Sequence, residues 1–270
     1  MKPCAQRERE PVTTPIQHST LRRSSAAIGA LIIREMSSNY GKSPGGYIWA
    51  VLEPVAGITL MTLMFSFIFR QPALGTHFAL FYASGMLPFT MYRDLSSKIG
   101  KSLAFSEKLL SYPAVTFMDA ILARLILNLL TQILIVIVII GGIILLENVR
   151  VTIDFKWVFL SFFAITVISC ALGVINAVLF AKFPIWEQLW GILNRPMFLL
   201  STIFYLFESA PEPFQSLLWF NPLVHVVGLM RRGLYSTYDA TFVSLPYIFG
   251  PALVLLAFGL LMLRQHQNRD

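Results

Sequence analysis

Glu53 and Pro54 stand side by side inside an otherwise apolar run, Tyr47 to Phe69. A charge at the centre of a membrane-spanning helix costs about 2.5–3.5 kcal/mol on insertion scales, and a proline removes an amide donor. A plain anchor has use for neither, whereas a helix bundle with an interior to line has use for both. Two more charges sit in comparable runs, Arg124 and Arg195, the second followed by Pro196. Arg124, Asn128 and Gln132 recur at i, i+4 and i+8, so they share one helix face, and that face points away from lipid. Residues of these types suit ion pairing between helices or contact with polar cargo in a wet path. Between these two roles the spacing does not choose. A pair between Glu53 and Arg195, both near the inner ends of their runs, is the expected arrangement.

Bond-making chemistry finds little support. Gly41-Lys42-Ser43 and Gly100-Lys101-Ser102 each resemble the end of a phosphate-binding loop, but Met36 and Leu95 occupy the positions where that loop needs its first glycine. No paired carboxylates, His-x-x-x-His or Gly-x-Ser-x-Gly occur, so no catalytic residue is assigned. His225 lies near the end of an apolar stretch and reads as a buried hydrogen-bonding residue before it reads as a proton relay. Cys4 and Cys170 make no disulfide or zinc pattern, and no metal site is expected.

Composition decides the class of the elements that must hold these residues. The 270 residues are 56% hydrophobic and 13% charged, with a mean hydropathy of +0.68; this is the range of integral membrane proteins. The net charge of +7 is distributed between apolar runs rather than gathered on one domain, so it reads as topology and not as nucleic-acid binding. We expect an all-α fold: a flexible cytoplasmic tail (1–19), then one transmembrane domain (20–270) with spans at about 47–69, 77–94, 115–146, 155–180, 186–207 and 244–263. Before the first span, Leu21, Ile28, Leu31, Ile32 and Met36 share a face opposite Arg22, Arg23 and Arg34, which predicts an amphipathic helix on the membrane surface. A charged, partly helical loop at about 95–112 follows the second span. Asn221-Pro222 and His225 interrupt an apolar stretch, predicting an outer re-entrant segment at about 212–238. The tail lacks an apolar core, so no cleavable signal peptide is expected, and the cation bias places both termini in the cytoplasm. Aromatic residues crowd the spans, and rings such as Tyr47, Trp49, Phe204 and Tyr205 offer a sliding sugar apolar contact without fixed hydrogen-bond geometry.

Tyr40-Gly41-Lys42-Ser43, Gly46-Tyr47-Ile48-Trp49-Ala50 and Leu52-Glu53-Pro54 resemble the opening of ATP-binding-cassette exporter permeases of the type-2 superfamily, in particular the capsular polysaccharide branch. Three later blocks resemble it in the same order. They are Gly85 to Phe89 leading to Leu109-Leu110-Ser111-Tyr112-Pro113, Arg195-Pro196 through Tyr205, and Asn221 to His225 with Arg231 and Tyr235. The resemblance implies a homodimeric, multi-pass permease of the bacterial inner membrane, with two copies of a separate ATPase that bind ATP and Mg. This chain itself would carry no cofactor. It implies a lipid-linked polysaccharide as cargo, and periplasmic and outer-membrane export components as further partners. Conduit candidates are then Tyr47, Trp49, Glu53, Arg124, Asn128, Gln132, Arg195, Phe204 and Tyr205. Candidates for contact with the ATPase are Lys98, Lys101, Ser106, Glu107, Lys108 and Ser111, and Asn221, Pro222, His225 and Arg231 would build the outer segment. An O-antigen or teichoic-type polymer is the nearest alternative cargo, multidrug efflux a more distant one, and a passive channel or membrane-embedded transferase the alternatives of another class.

Overall fold

The computed structural model describes residues 20–40, 46–110, 116–149 and 151–268, with side chains described except at 20–23, 38–40, 46–47 and 107–110. The expected tail, Lys42, Ser111 and the side chains of Tyr47, Glu107 and Lys108 therefore lie outside the described residues. Every regular element among those described is helical: α1 (Thr20–Tyr40), α2 (Gly46–Ile68), α3 (Phe78–Gly100), α4 (Ser102–Leu110) and α5 (Phe117–Leu146) come first. After them come α6 (Phe155–Lys182), α7 (Pro184–Leu200), α8 (Phe214–Trp219), α9 (Pro222–Leu234) and α10 (Leu245–Gln267).

The centre of the molecule is the crossing of α3 with α6. In lipid, helices associate by close packing rather than by exclusion of water, so a crossing needs small residues. Gly173 of α6 supplies one: a Cβ there would meet Ile99 Cβ at 2.7 Å. Gly100 supplies another, since a Cβ on it would meet Phe180 at 2.7 Å. The Gly100-Lys101-Ser102 triplet is thus the elbow between α3 and α4, and its glycine answers to packing. Around this pair, α10 and α9 pack on α6, while α5 and α2 pack on α3. α2 lies at the edge; it buries Pro54 and Ile58, one turn apart, and leaves Phe67 and Ile68 exposed.

Among the described residues, four helices are long and apolar enough to cross a membrane: Ile48–Ile68, Phe117–Leu146, Phe155–Lys182 and Leu245–Gln267. α3 and α7 do not meet that standard, the first because Arg93, Asp94 and Lys98 lie in its last two turns and the second because it has 17 residues. Two span boundaries differ from expectation by more than about one helical turn. The charged stretch expected to leave the second span near residue 94 stays helical to Gly100, because Asp94 and Arg93 find partners on neighbouring helices. The run expected to continue to residue 207 stops being helical at Leu200, and Thr202 then adopts a φ of 54°. The carbonyls released by that break are taken up by side chains, as described below.

Candidate functional site

α2, α3 and α5 enclose a polar cleft of about 320 Å³ near the N-terminal end of α2. Its charges are Glu53 from α2 with Arg93, Asp94 and Lys98 from α3, and its uncharged polar groups are Thr90, Thr131 and Gln132. Arg93 Nη2 lies 3.3 Å from Glu53 Oε1 and 3.1 Å from Asp94 Oδ1. Gln132 Nε2 donates to the other Asp94 oxygen at 2.9 Å. The expected partner of Glu53, Arg195, is not there: Arg195 is exposed on α7. The reason is register, since Arg93 leaves α3 directly opposite Glu53 whereas α7 packs chiefly on α6. Lys98 lines the cleft with no ion pair among the described residues, and Trp49 lines it at the same end, 61% exposed.

Arg124 belongs to a second assembly below the cleft. Its Nε lies 3.3 Å from Glu35 Oε2 of α1, with both side chains under 10% exposed. Its Nη1 donates to the Lys98 carbonyl of α3 at 2.7 Å, and its guanidinium lies 4.3 Å from the Phe105 ring of α4. Arg34 covers the same ring at 4.8 Å and donates to the Phe105 carbonyl at 2.7 Å. Four helices therefore meet at one cation. Asn128, expected beside Arg124 in a conduit, turns back and donates to the Arg124 carbonyl at 2.8 Å. The single polar face expected of α5 is thus divided, with Gln132 in the cleft and Arg124 in the joint.

Glu35 was invisible to motif reading, yet it carried a signal. It sits four residues after Leu31 and seven after Ile28, hence on the apolar stripe of α1 rather than opposite it. The same end of α5 is closed by a capping box, Thr116 with Asp119, and Asp119 also accepts a hydrogen bond from Ser24 of α1. Of the residues expected to meet the ATPase, Lys101 is exposed and pairs with Glu187 of α7 at 2.6 Å. Ser106 is 3% exposed and faces into the protein, because α4 packs on α5 and α6.

At the opposite end, Asn221 caps α9 by accepting the Leu223 N–H at 3.0 Å and donates to the Leu200 carbonyl at 3.0 Å. Pro222 occupies the first turn of α9, where its missing amide costs nothing. Arg231 is 1% exposed and donates to the carbonyls of Tyr205 at 2.9 Å and Ile203 at 3.1 Å, with the Phe81 ring 4.5 Å away. These bonds satisfy the backbone where α7 ends. His225 is fully buried among Trp219, Phe242 and Tyr247; its Nδ1 accepts the Ser244 N–H at 3.3 Å and its Nε2 donates to the Trp219 carbonyl at 2.8 Å. Both nitrogens are thereby used by a neutral ring, which is a joint and leaves no nitrogen to relay a proton. In the following loop the Tyr238 hydroxyl donates to Glu208 at 3.1 Å, and burial, then the Glu208 carboxylate, push the phenol above its ordinary range.

Phe204 stacks near Phe65 at 5.6 Å and meets Phe198 edge-on at 5.2 Å, and Phe198 in turn meets Phe89 at 5.2 Å. These rings join the C-terminal end of α2 to α3, where Phe89 neighbours the cleft-lining Thr90. Tyr205 contributes chiefly its backbone, although its hydroxyl reaches the Leu199 carbonyl at 3.3 Å.

Comparison with known proteins adds an independent line. A family profile described as ABC-2 type transporter matches residues 26–235. A polysialic acid transport protein, KpsM of Escherichia coli, is 30% identical over 246 residues, covering 89% of this chain and 93% of its own. A capsule polysaccharide export inner-membrane protein, CtrC of Neisseria meningitidis serogroup B, is 29% identical over 240 residues, covering 87% and 89%. The protein of the same description from Haemophilus influenzae, BexB, is 24% identical over 237 residues, covering 88% and 89%.

Proposed function

The chain belongs to the ABC-2 type transporter family, and from that premise we propose that it is the permease subunit of an ATP-driven exporter of a lipid-linked capsular or related cell-surface polysaccharide. The observation that carries this reading is near full-length similarity to a protein described as a polysialic acid transport protein and to two described as capsule polysaccharide export inner-membrane proteins. It is a multi-pass inner-membrane protein in this reading, with six spans formed by α2, α3, α5, α6, α7 and α10, and both ends on the cytoplasmic side. α8 and α9 form the outer re-entrant pair, held in place by Asn221 and Arg231.

Two permease subunits assemble with two ATPase subunits, which bind ATP and Mg and supply the energy; this chain makes and breaks no bond. Movement reaches it through α4 and the surface helix α1. Support for that route is the Arg124 joint, which ties α1 and α4 to the inner ends of α3 and α5 so that none shifts alone. The charged cleft lies directly above the joint, and the half-exposed rings of Phe65, Phe198 and Phe204 give the glycan a wall of weak, direction-tolerant contacts. Deletion of the gene leaves polymer synthesised and retained inside the cell, scored by fractionation and surface labelling. Normal surface polymer in the deletion strain rules the reading out.

A further inference from the structure

The charged cleft is not closed towards the bilayer. On the other side of Ala50 and Thr131 lies an apolar groove of about 390 Å³ between α2 and α5, lined by Leu52, Val55 and Leu134. Ala50, Thr131 and Ile135 line both spaces. A polar chamber and an apolar trough that share a threshold at Ala50 and Thr131 have the outline of an amphiphile: head group inside, acyl chain outside. Pro54 adds to the threshold, because it cannot donate to the Ala50 carbonyl one turn earlier and leaves that acceptor without its helical partner.

The charges choose the head group. The chamber carries two cations, Arg93 and Lys98, and two carboxylates, Glu53 and Asp94, so it is formally neutral but polarised. Arg93 is shared by both carboxylates, which leaves Lys98 as the cation facing the chamber with no ion pair among the described residues. Glu53 is 76% exposed and held only by a 3.3 Å contact to a half-exposed Arg93, an exposed pair of the kind that a competing cation shares at little cost. We propose that this cleft binds a glycerophospholipid with a primary ammonium head group, phosphatidylethanolamine being the simplest. Its phosphate lies against Lys98, its ammonium donates to Glu53, and one acyl chain lies along Val55 and Leu134. An ammonium with N–H donors satisfies a carboxylate in a way that a methylated one cannot. This inference rests on α2 and α5 standing in the membrane and not on what polymer is exported.

The test uses the full-length protein purified with its partner subunits in detergent and titrated with phosphatidylethanolamine, phosphatidylcholine and phosphatidylglycerol of matched acyl chains, with bound lipid read by native mass spectrometry. Phosphatidylethanolamine is expected to bind about tenfold more tightly than the other two, the increment of one charge-assisted hydrogen bond. Glu53→Gln is expected to abolish that preference, Lys98→Gln to weaken all three lipids together, and Ala50→Trp to block the threshold. Lys98→Gln alters a half-buried side chain with no ion pair among the described residues, so it reports even where Ala50→Trp misfolds. Equal binding of the three lipids, a preference for phosphatidylglycerol, or lipid binding indifferent to Glu53→Gln and Lys98→Gln overturns the proposal. Lost lipid preference with export intact would remove this site alone, and retained preference with normal surface polymer in the deletion strain would remove the export reading alone.

Discussion

Arg124 and Glu35 show how a membrane protein uses a charge it has to bury. Each is nearly inaccessible, and each would be costly alone, so the pair is held by mutual attraction and by the Lys98 carbonyl and Phe105 ring that complete the guanidinium's surroundings. Removing one partner strands the other charge, at a cost of about 3–5 kcal/mol, whereas replacing both by apolar residues of similar volume leaves no member of the pair as a stranded charge. Thermal unfolding of the purified protein should therefore show a large fall in midpoint for Glu35→Leu and for Arg124→Met, and a markedly smaller one for the double variant. Additive losses in the double would mean that the two side chains act independently. Sequence reading found Arg124 because a cation inside an apolar run is conspicuous. It leaves open whether Arg124 pairs or meets cargo, since helical spacing tells which residues share a face and says nothing about which neighbouring helix that face meets. Glu53 is likewise conspicuous, but the pair expected from its position is with Arg195, whereas the partner it has is Arg93, at the end of the expected second span.

The elements were more legible than their partners. Long apolar runs gave α2, α5, α6 and α10 to within a few residues at most boundaries, because hydrocarbon thickness imposes length and composition on any spanning helix. Where an element ends inside protein instead of at water, that rule loses its grip. α7 is the case in point: the apolar run continues past Leu200, but the helix does not, and the reason lies in Asn221 and Arg231, more than 20 residues further on. Arg231 holds two carbonyls with one planar group, a geometry that a lysine ammonium does not reproduce. Arg231→Lys should keep the charge and lose one of the two bonds, destabilising the segment between α7 and α8 by about 1.5–3 kcal/mol. Limited proteolysis provides the readout: new cleavage between Ser201 and Leu206 is expected in the variant, and an unchanged digest would show that the backbone there is held by packing alone.

For the whole molecule, four described helices qualify by composition to cross the membrane, and the proposed six-span topology adds α3 and α7. α3 fails on its charges, yet it is the most enclosed of the long helices, and a span surrounded by protein has no need to be apolar where its charges meet partners. α7 fails on length; at about 1.5 Å per residue its 17 residues reach about 25 Å, short of the ~30 Å of hydrocarbon. In the proposed six-span arrangement, the segment that starts at Leu200, with its carbonyls bound by Asn221 and Arg231, makes up the remaining depth without exposing backbone to lipid. If both cross, Lys101 and Arg264 lie on the cytoplasmic side and Lys156 on the other, and all three are exposed positions. In a variant lacking Cys4 and Cys170, Lys156→Cys should react with a membrane-impermeant maleimide in cells whose outer membrane has been permeabilised. Lys101→Cys and Arg264→Cys should react only once the inner membrane is opened. Labelling of Lys101→Cys from outside would place the α3–α4 elbow, and with it the Arg124 joint, on the face away from any cytoplasmic ATPase, and the proposed route of coupling would fail with it.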